Sequence, residues 1–134
     1  MKVYTADEAT RTLPLVSRIV RDIVLLYARW RERVAELELA AGASRADDPD
    51  PRLAGLERDT QRFAAEIDSC IRELQALGIA YKMPFDAGLV DFPGEMDGRS
   101  VYLCWRLGES AVEYWHELEA GYAGRQPLVP QPTP

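Results

Sequence analysis

At 134 residues and 47% hydrophobic content, the chain has the length and apolar fraction of a single domain with an ordinary core. Its 22 acidic against 16 basic residues, a net charge of -6, exclude a nucleic-acid backbone as the main partner, because phosphate binding needs a basic stripe that releases counterions. No stretch approaches the roughly 20 apolar residues of a membrane span, and the opening MKVYTADEA lacks the apolar run of a signal peptide, so a cytoplasmic protein is expected.

Thr5-Ala6-Asp7-Glu8 has the form of a capping box, with the Thr5 hydroxyl accepting from the Glu8 backbone and the Glu8 side chain reaching back. It predicts a helix over 5–42, kinked near Pro14, which lacks a donor and disfavours helical geometry at Leu13. From there Leu13, Val16, Val20, Ile23, Tyr27, Trp30, Val34 and Leu37 alternate spacings of three and four, a coiled-coil-like seam. The polar, proline-containing ASRADDPDP over 43–51 predicts an exposed loop. A second helix over 52–77 repeats the alternation with Leu53, Leu56, Thr60, Phe63, Ile67, Cys70, Leu74 and Leu77, and Gly78 ends it.

Two matched seams across a short loop predict an antiparallel helical hairpin. The first helix also carries Leu15, Ile19, Val24, Leu25 and Leu26 outside its seam, more apolar surface than one partner helix covers. Either the C-terminal third or a second subunit must pack there, which motivates the expectation of a homodimer.

After Gly78 the period becomes alternating, and a small antiparallel sheet is expected over 79–107, with strands at 79–83, 89–92 and 100–107 and Asp97-Gly98 as the turn. Val101, Leu103, Trp105 and Leu107 would share one face of the last strand, with Tyr102, Cys104 and Arg106 on the other. Ser110 and Glu113 read as a second capping box, predicting a short closing helix over 110–120. On it Ala111, Tyr114, Trp115 and Leu118 would share one face, and Glu109, Glu113, His116 and Glu117 the other. Gly121 and Gly124 would end it, leaving 126–134 as a flexible, proline-rich tail. The expected class is α+β: a long hairpin, a small sheet and a short closing helix in one domain.

The opening TADEATRTLPLV, together with VDFPGEMDGRSVYLCWRLGE and YWHELEAGYAGRQPL, resembles a prokaryotic family catalogued as domain of unknown function 2203. The match lies at the two ends, in a Thr-x-x-Glu-Ala start, in Cys-Trp-Arg-Leu-Gly-Glu and in Trp-His-x-Leu-x-Ala-Gly-x-x-Gly-Arg. The resemblance implies a bacterial or archaeal cytosolic protein with a helical hairpin and a small C-terminal sheet, and it implies no activity or cofactor.

Candidate chemistry concentrates in the C-terminal third. Glu113-x-x-His116, with Glu109 one turn earlier, could hold a metal ion on one helix face, although a solvated acidic face explains the same residues. Arg106, His116 and Arg125, walled by Trp105 or Trp115, could form a shallow pocket for a small anionic ligand, whereas the plainer alternative is an Arg106 bridge to Glu109, Asp91 or Glu117. Nucleophilic catalysis would need Cys104 beside His116, oriented by Glu113 or Glu117. Cys70 and Cys104 lack CxxC spacing, so no zinc knuckle or redox motif is present, and Cys70 reads as a buried hydrophobe. The leading expectation is a non-enzymatic interaction or small-ligand-binding homodimer working through Arg106, Trp115, His116 and Arg125. The alternative is a metal- or thiol-dependent enzyme using Glu113, His116 and Cys104.

Overall fold

The computed structural model describes residues 2–128. Thr5 caps helix α1 (Ala6–Arg11), and both halves of the capping box are present, Glu8 N–H to Thr5 Oγ1 at 3.1 Å and Thr5 N–H to Glu8 Oε1 at 3.0 Å. The chain breaks at Thr12 and re-enters helix α2 (Leu13–Ala43) with Pro14 in the first turn, where its missing donor costs no hydrogen bond. Helix α3 (Leu53–Ala76) ends in a Schellman motif: Ile79 N–H reaches the Leu74 carbonyl, Gly78 N–H reaches that of Gln75, and Gly78 takes φ 78°.

The two long helices pack as the expected antiparallel hairpin, with Val16, Val20, Ile23, Phe63, Ile67 and Leu74 buried along the seams and Arg33 bonded to Asp59 near the distal end. Part of the surplus apolar surface of α2 is absorbed within the chain, since Ile19 is buried in the core; Leu15 and Leu25 remain 41% and 52% exposed.

Five antiparallel strands follow in sheet order: β1 (Ala80–Lys82), β2 (Leu89–Met96), β3 (Arg99–Arg106), β4 (Tyr114–His116) and β5 (Gln126–Pro127). The β2–β3 turn is Asp97-Gly98, with φ 52° and 77°, the two positive values that a tight hairpin turn needs to match strand twist. Alternation then divides the sheet. Val90, Phe92, Val101, Leu103, Trp105 and Trp115 face the helices and close the core, while Asp91, Tyr102, Cys104, Arg106, Tyr114 and His116 lie on the outer face. Tyr4 ties the N-terminus to this core, its ring edge-on to Phe92 and its hydroxyl donating to the Leu77 carbonyl at 2.6 Å.

The closing helix expected over 110–120 does not form. Tyr114–His116 is instead a strand paired with Tyr102–Cys104, and the only helical turn after it among the described residues is a 3-10 turn at Tyr122–Gly124. The reason is non-local. Val112 N–H donates to Thr10 Oγ1 at 3.0 Å, which fixes the chain just before the strand, and pairing with β3 both satisfies that strand's open edge and drives Trp115 into the core. The tail expected from 126 is likewise tied down at its start, because Gln126 and Pro127 pair with Trp115 and Tyr114 and Leu128 N–H donates to the Glu113 carbonyl. Residues 129–134 of that expected tail lie outside the described residues.

Candidate metal centre on the outer face of the sheet

Asp91 on β2, Cys104 on β3 and His116 on β4 meet on the outer face, although β2 and β4 are not neighbours. The ladder explains how. Asp91 lies directly opposite Cys104, Cys104 opposite Tyr114, and His116, two residues further along β4, leans diagonally back across β3. One donor atom from each of the three residues falls within 4.8 Å of the others. The residues are 3%, 1% and 2% exposed.

His116 uses both ring nitrogens. Nδ1 sits 2.7 Å from the Glu117 carbonyl oxygen, and since a carbonyl only accepts, Nδ1 carries a hydrogen. Nε2 lies 2.9 Å from Asp91 Oδ1. With Nδ1 protonated, an imidazole lone pair and a carboxylate oxygen face each other at that distance, and a positive charge, a proton or a cation, must lie between them. The other oxygen, Asp91 Oδ2, is buried without a hydrogen-bond partner. Its nearest cation is Lys82 Nζ at 3.9 Å, beyond hydrogen-bond reach. Burial pushes the Asp91 carboxyl above its ordinary pKa, opposed by the bond to His116 and more weakly by Lys82.

Burial also raises the Cys104 thiol, to about 11, helped by the neighbouring Asp91 carboxylate and opposed by a hydrogen bond from Arg125. That shift runs against activation of Cys104 as a nucleophile. A thiol attack would need an imidazole nitrogen free to take its proton, and both of those in His116 are engaged.

Arg125 stands over this face. Its guanidinium makes two bonds to the Glu109 carboxylate, at 3.0 and 2.6 Å, and lies 3.9 Å from the Tyr114 ring centre and 4.5 Å from that of Tyr122. The bidentate bond to Glu109 raises its pKa further and keeps it charged. Glu109 is itself fixed to β3, its Oε1 accepting from Arg106 N–H at 2.8 Å and its carbonyl from Trp105 Nε1 at 2.9 Å.

The expected anion pocket thus resolves into separate environments. Arg106 and Arg125 meet through Tyr122, whose hydroxyl lies 3.3 Å from Arg106 Nη1, and His116 lies on the same face but is sealed. Trp115 points the opposite way, into the core. The bridge expected of Arg106 is made by other arginines, Arg125 taking Glu109 and Arg99 taking Glu117. The helix face that would have joined Glu109, Glu113 and His116 is absent: Glu109 is committed to Arg125, Glu113 is exposed, and only His116 reaches a buried donor set. Asp91, which sequence reasoning treated only as a possible partner for Arg106, is the residue that completes the set. Its signal was present, because strand alternation and the Asp97-Gly98 turn together set it opposite Cys104.

Clefts of about 210 to 490 Å³ indent the surface at four places, one of them lined in part by Glu109, and these four are not lined by Asp91, Cys104 or His116. No helix among the described residues is long and apolar enough to cross a membrane.

The chain belongs to the family described as uncharacterized conserved protein DUF2203, which matches residues 2–128. Searches of curated proteins and of solved structures each return no significant match.

Proposed function

We propose that this protein is a non-enzymatic binding protein for one divalent transition-metal ion of the zinc class, held by His116 Nε2, Cys104 Sγ and the Asp91 carboxylate. The observation that carries this reading is a buried carboxylate with one unpartnered oxygen, packed against an imidazole nitrogen and a thiol. A buried polar atom without a partner is costly, on the order of 1–3 kcal/mol, and a cation at this point would remove that cost.

The donor types agree. A mixture of nitrogen, sulfur and one carboxylate suits zinc and its neighbours rather than magnesium or calcium, which take oxygen shells. Tetrahedral zinc sets its donors about 3.3–3.7 Å apart, so the widest separation of up to 4.8 Å would close by about 1–1.5 Å while the 2.9 Å contact of His116 with Asp91 Oδ1 opens slightly. The Glu117 carbonyl fixes the His116 tautomer that aims Nε2 inward, the support that metal-ligating histidines usually have. Charge also balances, since a dication, a thiolate, a carboxylate and a neutral imidazole sum to zero.

Burial favours holding an ion over turning over an organic substrate, because the three ligands are at most 3% exposed. A cytoplasmic location suits the reading, as it keeps Cys104 reduced. Homodimerisation through the hairpin belongs to the same reading and is supported by Leu25 and Leu39, 52% and 71% exposed on α2. Light scattering at micromolar concentration should return twice the chain mass, and a monomer would remove that part alone.

The metal assignment is tested by elemental analysis of untagged protein dialysed against zinc and freed of excess ion. One zinc per chain, lost in His116→Ala and Cys104→Ser, supports it. A wild-type protein without stoichiometric zinc, cobalt or another divalent transition metal overturns it.

A further inference from the structure

We infer that the Glu109–Arg125 pair is a latch over the metal centre, and that Arg125 is a positioning residue which governs how fast the ion exchanges and tunes the Cys104 sulfur. This rests on the metal reading above. It adds the route of entry and a function for Arg125.

Four contacts place the guanidinium. Glu109 grips it with both carboxylate oxygens, at 3.0 and 2.6 Å, and the rings of Tyr114 and Tyr122 lie 3.9 and 4.5 Å from its centre. Tyr114 is the direct cross-strand neighbour of Cys104, so a guanidinium stacked 3.9 Å from the Tyr114 ring centre lies beside the thiol. The pair is only 15% and 22% exposed, so it is shielded from water and stronger than an ordinary surface ion pair. Glu109 is anchored by the Arg106 N–H and the Trp105 indole, and the backbone after Arg125 is paired to β4 through Gln126 and Pro127, so the latch opens by release of the Arg125 side chain.

The segment that follows His116 is closed by Arg125. It leaves β4 with Glu117 tied to Arg99, passes through exposed Leu118, Glu119 and Ala120, turns at Gly121 with φ 66°, and returns through Tyr122 to Arg125. Its exposed middle carries few contacts to break, so the closed state depends on its two ends. Releasing the Arg125 side chain from Glu109 uncovers Cys104 while β4 and β5 keep their pairing. A dication would then be held by Cys104 as the thiolate and by Asp91 and His116 without the proton they share, both protons passing to solvent, and the returning guanidinium would donate to the sulfur. A hydrogen bond to a thiolate lowers the energy of its lone pairs, so it raises the energy of sulfur-to-metal charge transfer.

Cobalt(II) is the probe, bound to the full-length chain and removed by excess chelator in a stopped-flow experiment. Arg125→Lys and Glu109→Gln should each release cobalt roughly tenfold faster or more than the wild type, the scale usual for loss of an outer-shell partner. Arg125→Lys should also move the thiolate-to-cobalt band to longer wavelength, a change that mere loosening of the fold would not produce. Glu109→Gln keeps the shape of the pair and serves if Arg125→Lys folds poorly. Release within twofold of wild type in both variants, with the cobalt band unmoved, overturns the latch and leaves the metal site standing. A wild-type chain that takes up no cobalt, zinc or other divalent transition metal overturns both.

Discussion

His116 Nε2 on β4 lies 2.9 Å from Asp91 Oδ1 on β2, bridging an intervening strand at 2–3% exposure. The contact makes the two residues one unit. Asp91→Asn keeps the shape and can still offer an amide N–H to Nε2, so it should cost only about 1 kcal/mol of stability while abolishing metal uptake. His116→Ala leaves the carboxyl buried beside a void and should cost more, about 3 kcal/mol. Urea midpoints at unchanged slope, read beside zinc uptake, separate the two effects.

The cysteines should differ in reactivity. Cys70 is partly exposed on α3, whereas Cys104 is 1% exposed with its thiol raised to about 11. An alkylating reagent at neutral pH should label Cys70 first, and Cys104 only after unfolding. Mass spectrometry of the native, metal-free chain showing fast double labelling would mean that the outer face is open.

Zinc binding should release two protons per ion near neutral pH. One comes from the Cys104 thiol and one from the Asp91–His116 bond, where one proton serves both groups, so the buried set stays neutral before and after loading. Calorimetry in buffers of different ionisation enthalpy counts the protons, and a value near zero would contradict this set of ligands.

The N-terminal cap has its own acid limit. Glu8 is held down to about 2, first by the Thr5 backbone N–H and then by Lys2, below the ordinary 4.5. A carboxylate lowered in the folded state stabilises it fully above the unfolded value and loses that contribution as pH falls from about 4.5 towards 2. Glu8→Gln should therefore flatten the dependence of stability on pH in that window and leave the slope near neutrality unchanged. Thermal melts of both proteins across the window check it.

Gly88→Ala tests the packing that positions β2. Gly88 takes φ 68°, and an added Cβ would come 2.7 Å from Leu107 Cβ and 3.3 Å from Val20 Cγ1. Backbone strain and overpacking add, for an expected loss of about 2–4 kcal/mol. A denaturation midpoint within experimental scatter of the wild type would refute the crowding.

Much of this architecture is legible before any coordinates. The three-four spacing from Leu13 and from Leu53 specifies both helices and their facing sides, because packing of those stripes is what holds the hairpin. Alternation along 101–106 assigns Cys104 and Trp105 to opposite faces, and a two-residue turn at Asp97-Gly98 sets Asp91 across from Cys104. The third ligand was hidden. Ser110 with Glu113, and the spacing of Ala111, Tyr114, Trp115 and Leu118, satisfy the local rules of a helix as well as any real one. What decides against it lies far away in the chain: the open edge of β3, the Thr10 hydroxyl that takes Val112 N–H, and the core cavity that Trp115 fills. Arg125 was visible as a charge, but its bond to Glu109 crosses 16 positions and obeys no local pattern.

The central claim is that one ion is held by Asp91, Cys104 and His116 and by no other acidic neighbour. Calorimetric titration of zinc into wild type, Cys104→Ser, Asp91→Asn and Glu113→Gln is the most direct measurement. The account predicts one site per chain in the wild type and in Glu113→Gln, and none in the other two. Zinc binding that survives in Cys104→Ser and Asp91→Asn, or that disappears only in Glu113→Gln, would contradict it.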